Sequence, residues 1–159
     1  STLRGLMENH SLPPQEFLDF VHDIDVTPVP PNPALDNVLH KLNGRKIVFT
    51  NGSVAHATNV MNRLGITHHF EGIFDIHAAD YLPKPDRSAY DKFLRDYDVD
   101  PARAVMIEDM ARNLEPAHEL GMTTVWIRSE HDHSAIGADG DHIHHVIYDL
   151  VPWLEEQVG

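Results

Sequence analysis

From residue 33 onward the apolar residues switch repeatedly between two spacings. Leu35, Val38, Leu39 and Leu42 recur three and four residues apart, as on one helix face, and Asn43-Gly44 ends the run. Lys46-Ile47-Val48-Phe49-Thr50 follows, short and continuously apolar at its centre, like a strand buried on both faces of a parallel sheet. The alternation then repeats. It predicts a helix over 54–64 closed by Gly65, a strand over 72–76, a helix over 88–97 and a strand over 104–108. A helix over 111–120 ends at Gly121, strands follow at 123–127 and 145–148, and a last helix starts at Leu150. Strands and helices joined by short connections predict an α/β fold, a doubly wound, Rossmann-like three-layer parallel sheet. Ligands of such sheets bind beyond the carboxyl ends of the strands, so the residues just after each strand are the ones to inspect.

Residues 1–30 read differently. Two short helices are expected, around Leu3-Leu6-Met7 and around Phe17-Leu18-Phe20-Val21, with a helix start signal at Ser11-Leu12-Pro13-Pro14 between them. The proline run from Thr27 to Pro33 predicts a stiff, extended linker. The chain is therefore divided into a small helical piece, 1–30, and an α/β core, 31–159.

Charge narrows the choice of partners. The formal net charge of −13 comes from 25 acidic and 12 basic residues. With no basic patch to offset it, it disfavours nucleic acid and anionic membrane surfaces. It also repels phosphorylated substrates at long range, so a phosphate-handling site would need a divalent cation and a well-placed lysine. No apolar run is long enough to span a bilayer. There is no cysteine, which excludes disulfides and thiolate metal sites; a reducing cytoplasm is the expected compartment. Of thirteen histidines, His131, His133, His142, His144 and His145 gather in one Gly- and Asp-containing stretch. Imidazoles suit Zn²⁺ or Ni²⁺, but the spacing matches no metal motif, and a solvated loop is the expectation.

Three strand ends carry candidate chemistry. Thr50-Asn51-Gly52-Ser53 offers a hydroxyl, an amide and a glycine at a helix start, either a phosphate cradle or a plain N-cap with a glycine turn. Lys84 stands between Pro83 and Pro85, so its backbone is restricted on both sides. A fixed ammonium suits a developing phosphoryl charge, although a solvated turn lysine would read the same. Glu108-Asp109 ends a strand, with Asn113 one helical turn further on. The pair can hold Mg²⁺ through oxygen, or Asp109 can simply cap a helix.

In this order, the three segments resemble the haloacid dehalogenase superfamily. "FTNGSVAHA", "KPD" and "IEDMARNLEPAHELGM" look like its branch of pyrimidine 5′-nucleotidases and related small-molecule phosphatases, and the likeness is strongest over 45–127. "TLRGLM" through "FLDFVHDIDVTPVPPNPAL" resembles that branch's helical cap and its return to the core. The resemblance implies phosphomonoester hydrolysis through a phosphoaspartate, with Mg²⁺ as cofactor and a small phosphorylated metabolite as substrate. Thr50 would bind the phosphoryl group beside Asn51 and Gly52, and Lys84 would stabilise the intermediate. Asp109 and Glu108 would be the metal-binding acids, with Asn113 supporting them.

The superfamily's first motif, an Asp-x-Asp pair ending a strand before the cap, has no clear counterpart. Asp23-Ile24-Asp25-Val26-Thr27 has the spelling, but a helix-like face precedes it and a proline run follows. The expectation is a core missing its first strand and a chain inactive alone, with Asp23 and Asp25 the nucleophile candidates that remain only if this spelling is a true first motif. That strand would sit between those at 46–50 and 104–108. Its absence predicts direct closure of those two strands, or a homo-oligomer or strand exchange that fills the gap. The alternative function is a non-catalytic binding or regulatory module derived from such a phosphatase, with a rearranged oligomer as one form of it.

Overall fold

A computed structural model describes Gln15 and residues 24–159. The two helices expected before residue 24, and Asp23, lie outside the described residues. The chain divides into two compact units, one running to Pro83 and taking back Leu154–Gly159, the other Lys84–Trp153.

In the first unit, α1 (Pro33–Lys41) starts where Asn32 Oδ1 accepts the Leu35 N–H at 3.0 Å and Pro33 opens the helix. It buries Leu35, Val38 and Leu39, the stripe read from the sequence. β1 (Ile47–Phe49) pairs in parallel with β2 (Gly72–Phe74), and α2 (Val54–Leu64) with a 3₁₀ turn (Thr67–His69) connects them. Phe49 meets Phe74 edge-on at 5.1 Å. Around them Met61, Ile66, Phe74, Ile76 and Ala79 are buried, as is Leu154. The proline run opens with a turn, the Val29 N–H donating to the Val26 carbonyl. The Arg63 guanidinium holds it by donating to the carbonyls of Thr27 and Val29.

The second unit holds a three-stranded parallel sheet in the order β3 (Val105–Glu108), β4 (Thr123–Ile127), β5 (His145–Ile147). α3 (Arg87–Asp96) starts at Asp86, whose side chain accepts the Ser88 N–H, and buries Ala89, Tyr90 and Phe93. The helix expected over 111–120 is in fact a 3₁₀ turn (Ala111–Leu114) running into a short α4 (Glu115–Glu119). Pro116 accounts for the difference. It has no N–H to donate to the preceding turn, and its ring crowds the carbonyl four residues back. α5 (Leu150–Val158) ends the chain.

Among the described residues the five strands form two separate sheets, so β1 and β3 do not close directly on each other. All three residues of β1 are half-buried, not enclosed on both faces, because β2 is the one strand beside it. No described helix is long and apolar enough to cross a membrane.

Candidate functional site

The loop after β1 is stitched down by backbone. The Thr50 N–H donates to the Phe74 carbonyl and the Ile76 N–H to the Gly52 carbonyl, so the chain after β1 stays beside the chain after β2. Thr50 Oγ1 accepts the Gly52 N–H at 2.9 Å, which leaves the hydroxyl proton available to donate outward. A Cβ on Gly52 would come within 3.3 Å of that same oxygen, so the small residue matters to this turn. Ser53 is buried and caps α2, its Oγ accepting the His56 N–H. The N-cap expected here is therefore present, and the Thr50 hydroxyl is aimed by the same turn.

Asp75, directly after β2, is the residue the sequence did not single out. It is buried, and its carboxylate accepts the Val54 N–H at 3.1 Å and the Ala78 N–H at 2.9 Å. The same group shares a hydrogen bond with His77 Nδ1 at 3.0 Å. Burial pushes its pKa up, but the hydrogen bonds from Ala78, His77 and Val54 together hold it below the usual carboxylate value. Asp75 thus fixes the start of α2 from the other strand. The chain then passes through Asp80 and Tyr81, both left-handed at φ 54° and 61°. For a bulky residue such as Tyr81 this conformation is strained, and such strain concentrates at functional loops.

In the second unit Lys84, Glu108 and Asn113 form one network. Lys84 follows Pro83, is joined to Pro85 by a cis peptide bond, and has a side chain only 5% exposed. Its ammonium donates to Glu108 Oε2 at 3.2 Å, and the Glu108 side chain is 11% exposed. Asn113 Nδ2 donates to the other Glu108 oxygen, Oε1. The Tyr90 hydroxyl donates to the Asn113 carbonyl. Burial first, and the nearby Glu108 charge second, raise the Tyr90 phenol well above its ordinary value, so it stays a donor. The outcome is a desolvated lysine paired with the Glu108 carboxylate, both of whose oxygens are engaged.

Asp109 is different. It is exposed, its backbone carbonyl accepts the Trp126 indole N–H at 2.9 Å, and its carboxylate has no hydrogen-bond partner among the described residues. Asn113 Oδ1 is buried and likewise without a partner there. The Asp109 carboxylate and the Asn113 amide oxygen are each hard oxygen donors, the kind of atom a hard cation takes.

The remaining candidates separate from this group. Asp25 sits in an exposed turn, where its Oδ1 accepts both the N–H and the hydroxyl of Thr27, and these bonds lower its pKa. The histidine-rich stretch is only partly the solvated loop expected. His142 and Ser134 are buried, Thr124 Oγ1 donates to the His142 carbonyl at 2.6 Å, and the Thr124 N–H donates to His144 Nδ1. Gly137, at φ 78°, lies so close to Arg112 that a Cβ would meet the Arg112 Cβ at 2.9 Å. β4 pins this loop because an isolated buried hydroxyl needs a partner.

Comparison with known proteins bears on the family and the fold. The chain is 36% identical over 92 residues to enolase-phosphatase E1 of Frankia alni, a match covering 54% of the chain and 37% of that protein. Among solved structures it resembles L-2-haloacid dehalogenase of Xanthobacter autotrophicus, with a TM-score of 0.65 and 14% identity over 82% of the chain and 62% of the enzyme. It also resembles the UTR4 protein of Saccharomyces cerevisiae, with a TM-score of 0.61 and 15% identity over 93% of the chain and 71% of that protein. At such identities the two structures speak for the fold alone. The chain spans little more than a third of the length of its enolase-phosphatase relative. The profile of haloacid dehalogenase-like hydrolases matches residues 11–121, most of the chain, and the chain belongs to that hydrolase family.

Proposed function

We propose that Lys84, Glu108, Asp109 and Asn113 belong to the phosphate-handling part of a Mg²⁺-dependent phosphomonoesterase. The observation that carries the reading is the buried Lys84–Glu108–Asn113 network. A lysine desolvated and held by one carboxylate is oriented before substrate arrives, so it stabilises phosphoryl charge without reorganising. For Thr50, in the first unit, a phosphoryl-binding hydroxyl is proposed from the sequence motif, in a turn that Asn51 and Gly52 shape. Asp109, with its uncommitted carboxylate, is the acid that would hold Mg²⁺. Glu108, already shared between Lys84 and Asn113, positions the lysine and precedes Asp109 in the chain, and Asn113 would support the metal-binding acids. Bound Mg²⁺ would neutralise part of the phosphate charge that a chain of net charge −13 otherwise repels.

The word phosphatase in the name of the Frankia alni relative supports hydrolysis of a phosphate ester. A small phosphorylated metabolite, with nucleotides as the class favoured by the sequence motifs, is the proposed substrate. Asp25 is not proposed as the attacking carboxylate, because it is committed to an exposed turn. That same observation favours a second reading, a module that binds phosphate without turning it over.

The test is calorimetric binding of inorganic phosphate by the 159-residue chain, with and without Mg²⁺, beside hydrolysis of p-nitrophenyl phosphate. Binding should require Mg²⁺ and disappear in Asp109→Asn and Lys84→Met, with no turnover. Phosphate binding indifferent to both substitutions would refute the site. Turnover abolished by Asp23→Asn would instead place the nucleophile inside this chain.

A further inference from the structure

Away from the phosphate-handling residues, the first unit brings together three side chains that the sequence gives no reason to associate. Asp36 lies in the first turn of α1, and His68 and His69 lie in the 3₁₀ turn between α2 and β2. Both imidazoles direct Nε2 at one oxygen, Asp36 Oδ1, His69 at 2.6 Å and His68 at 3.1 Å. The three ligand atoms all lie within 4.8 Å of one another. The two rings tilt against each other with centroids 4.0 Å apart.

We infer that Asp36, His68 and His69 form a binding site for a divalent transition cation of the Zn²⁺ type. Around such an ion, ligand atoms at about 2.0–2.2 Å in a tetrahedron stand roughly 3.4 Å apart. Reaching that from the present distances takes side-chain shifts on the order of 1 Å, within the reach of one χ rotation. Two imidazoles and one carboxylate select Zn²⁺, Ni²⁺ or Cu²⁺ over Mg²⁺, which prefers oxygen throughout. Exposure supports the same reading. The His69 side chain is only 7% exposed and so is held in place, while His68 at 66% and Asp36 at 44% can be reached from solvent. Three protein ligands leave the fourth position to water. The ion would tie the start of α1 to the turn that leads into β2, a link between segments more than thirty residues apart.

The inference is independent of the phosphatase reading, and its test uses no activity. Chelator-treated protein is titrated with Zn²⁺ by calorimetry and with Co²⁺ by visible absorption. His68→Ala is the main variant, chosen because an exposed side chain can be removed without unfolding the chain, and Asp36→Asn is the second. A His131→Ala/His133→Ala protein controls for the other histidines. One equivalent of Zn²⁺ should bind, with affinity at least about tenfold weaker in His68→Ala and in Asp36→Asn, and unchanged in the control. Zn²⁺ should also raise the thermal midpoint of the unaltered protein but not that of His68→Ala. Equal binding by the unaltered protein and His68→Ala, no binding at all, or loss confined to the His131/His133 control would overturn it and leave two ordinary hydrogen bonds to Asp36.

Discussion

A single carboxylate, Asp75, holds the loop after β1 to the loop after β2, by accepting from Val54, Ala78 and His77. Its pKa is lowered in the folded chain, so the stability it contributes is fully present above the unfolded carboxylate value and lost as pH falls through the folded one. Asp75→Asn presents one acceptor oxygen where two are used and an amide facing an N–H. The substitution should cost about 1–3 kcal/mol at neutral pH and leave the protein less acid-sensitive than the parent. Urea midpoints compared near pH 7 and near pH 3 check this; parallel pH profiles for parent and variant would remove Asp75 as the cause. The residue also marks a limit of sequence reading. Thr50, Lys84, Glu108 and Asp109 were legible because each follows a recognisable strand or stands between prolines. Asp75 follows a strand too, but its importance lies in the Val54 N–H, 21 positions earlier, and no local pattern encodes that pairing. Asp36 and the His68–His69 pair escaped for the same reason, while attention went to the denser histidines near the C-terminus.

At the scale of elements, sequence signals worked wherever the ends were local. Asn32, Ser53 and Asp86 each cap a helix through their own side chains, and Gly65 closes α2 at φ 80°. They failed where a proline's effect depends on context. Pro116 tightens its helix to a 3₁₀ start, and the proline run after Thr27 opens with a turn that Arg63, far along the chain, holds through its donors. The two ends of α2 offer a quantitative check. Ser53→Ala loses the bond to the His56 N–H but keeps Asp75 on the Val54 N–H, so it should cost about 0.5–1 kcal/mol. Gly65→Ala meets no atom within 4 Å, so its cost is backbone alone, about 1–2 kcal/mol for a left-handed alanine. The ends are three turns apart and share no partner. The double variant should therefore equal the sum to within about 0.5 kcal/mol by urea denaturation. A clear departure from additivity would mean that α2 frays as a unit from the Thr50 turn.

For the chain as a whole, the unusual feature is that each unit's parallel sheet is small, β1–β2 in one and β3–β4–β5 in the other. Among the described residues β1 and β3 each have one neighbouring strand, and a strand edge left open is a template for another strand. Val105, the first residue of β3, is 53% exposed and offers apolar surface beside that strand. What opposes association is charge: two chains each at −13 repel one another. That repulsion is screened over about 10 Å at 0.1 M salt but over only about 3 Å at 1 M, whereas edge hydrogen bonds and apolar burial are not weakened in the same way. The 159-residue chain should therefore sediment as a smaller species at low ionic strength and shift to a dimer or larger in about 1 M sodium chloride. Val105→Lys, which places a charge at the start of β3, should keep it small at both. Sedimentation that does not change with salt would mean that the edges are not available for pairing. A shift that Val105→Lys leaves intact would move the contact away from β3.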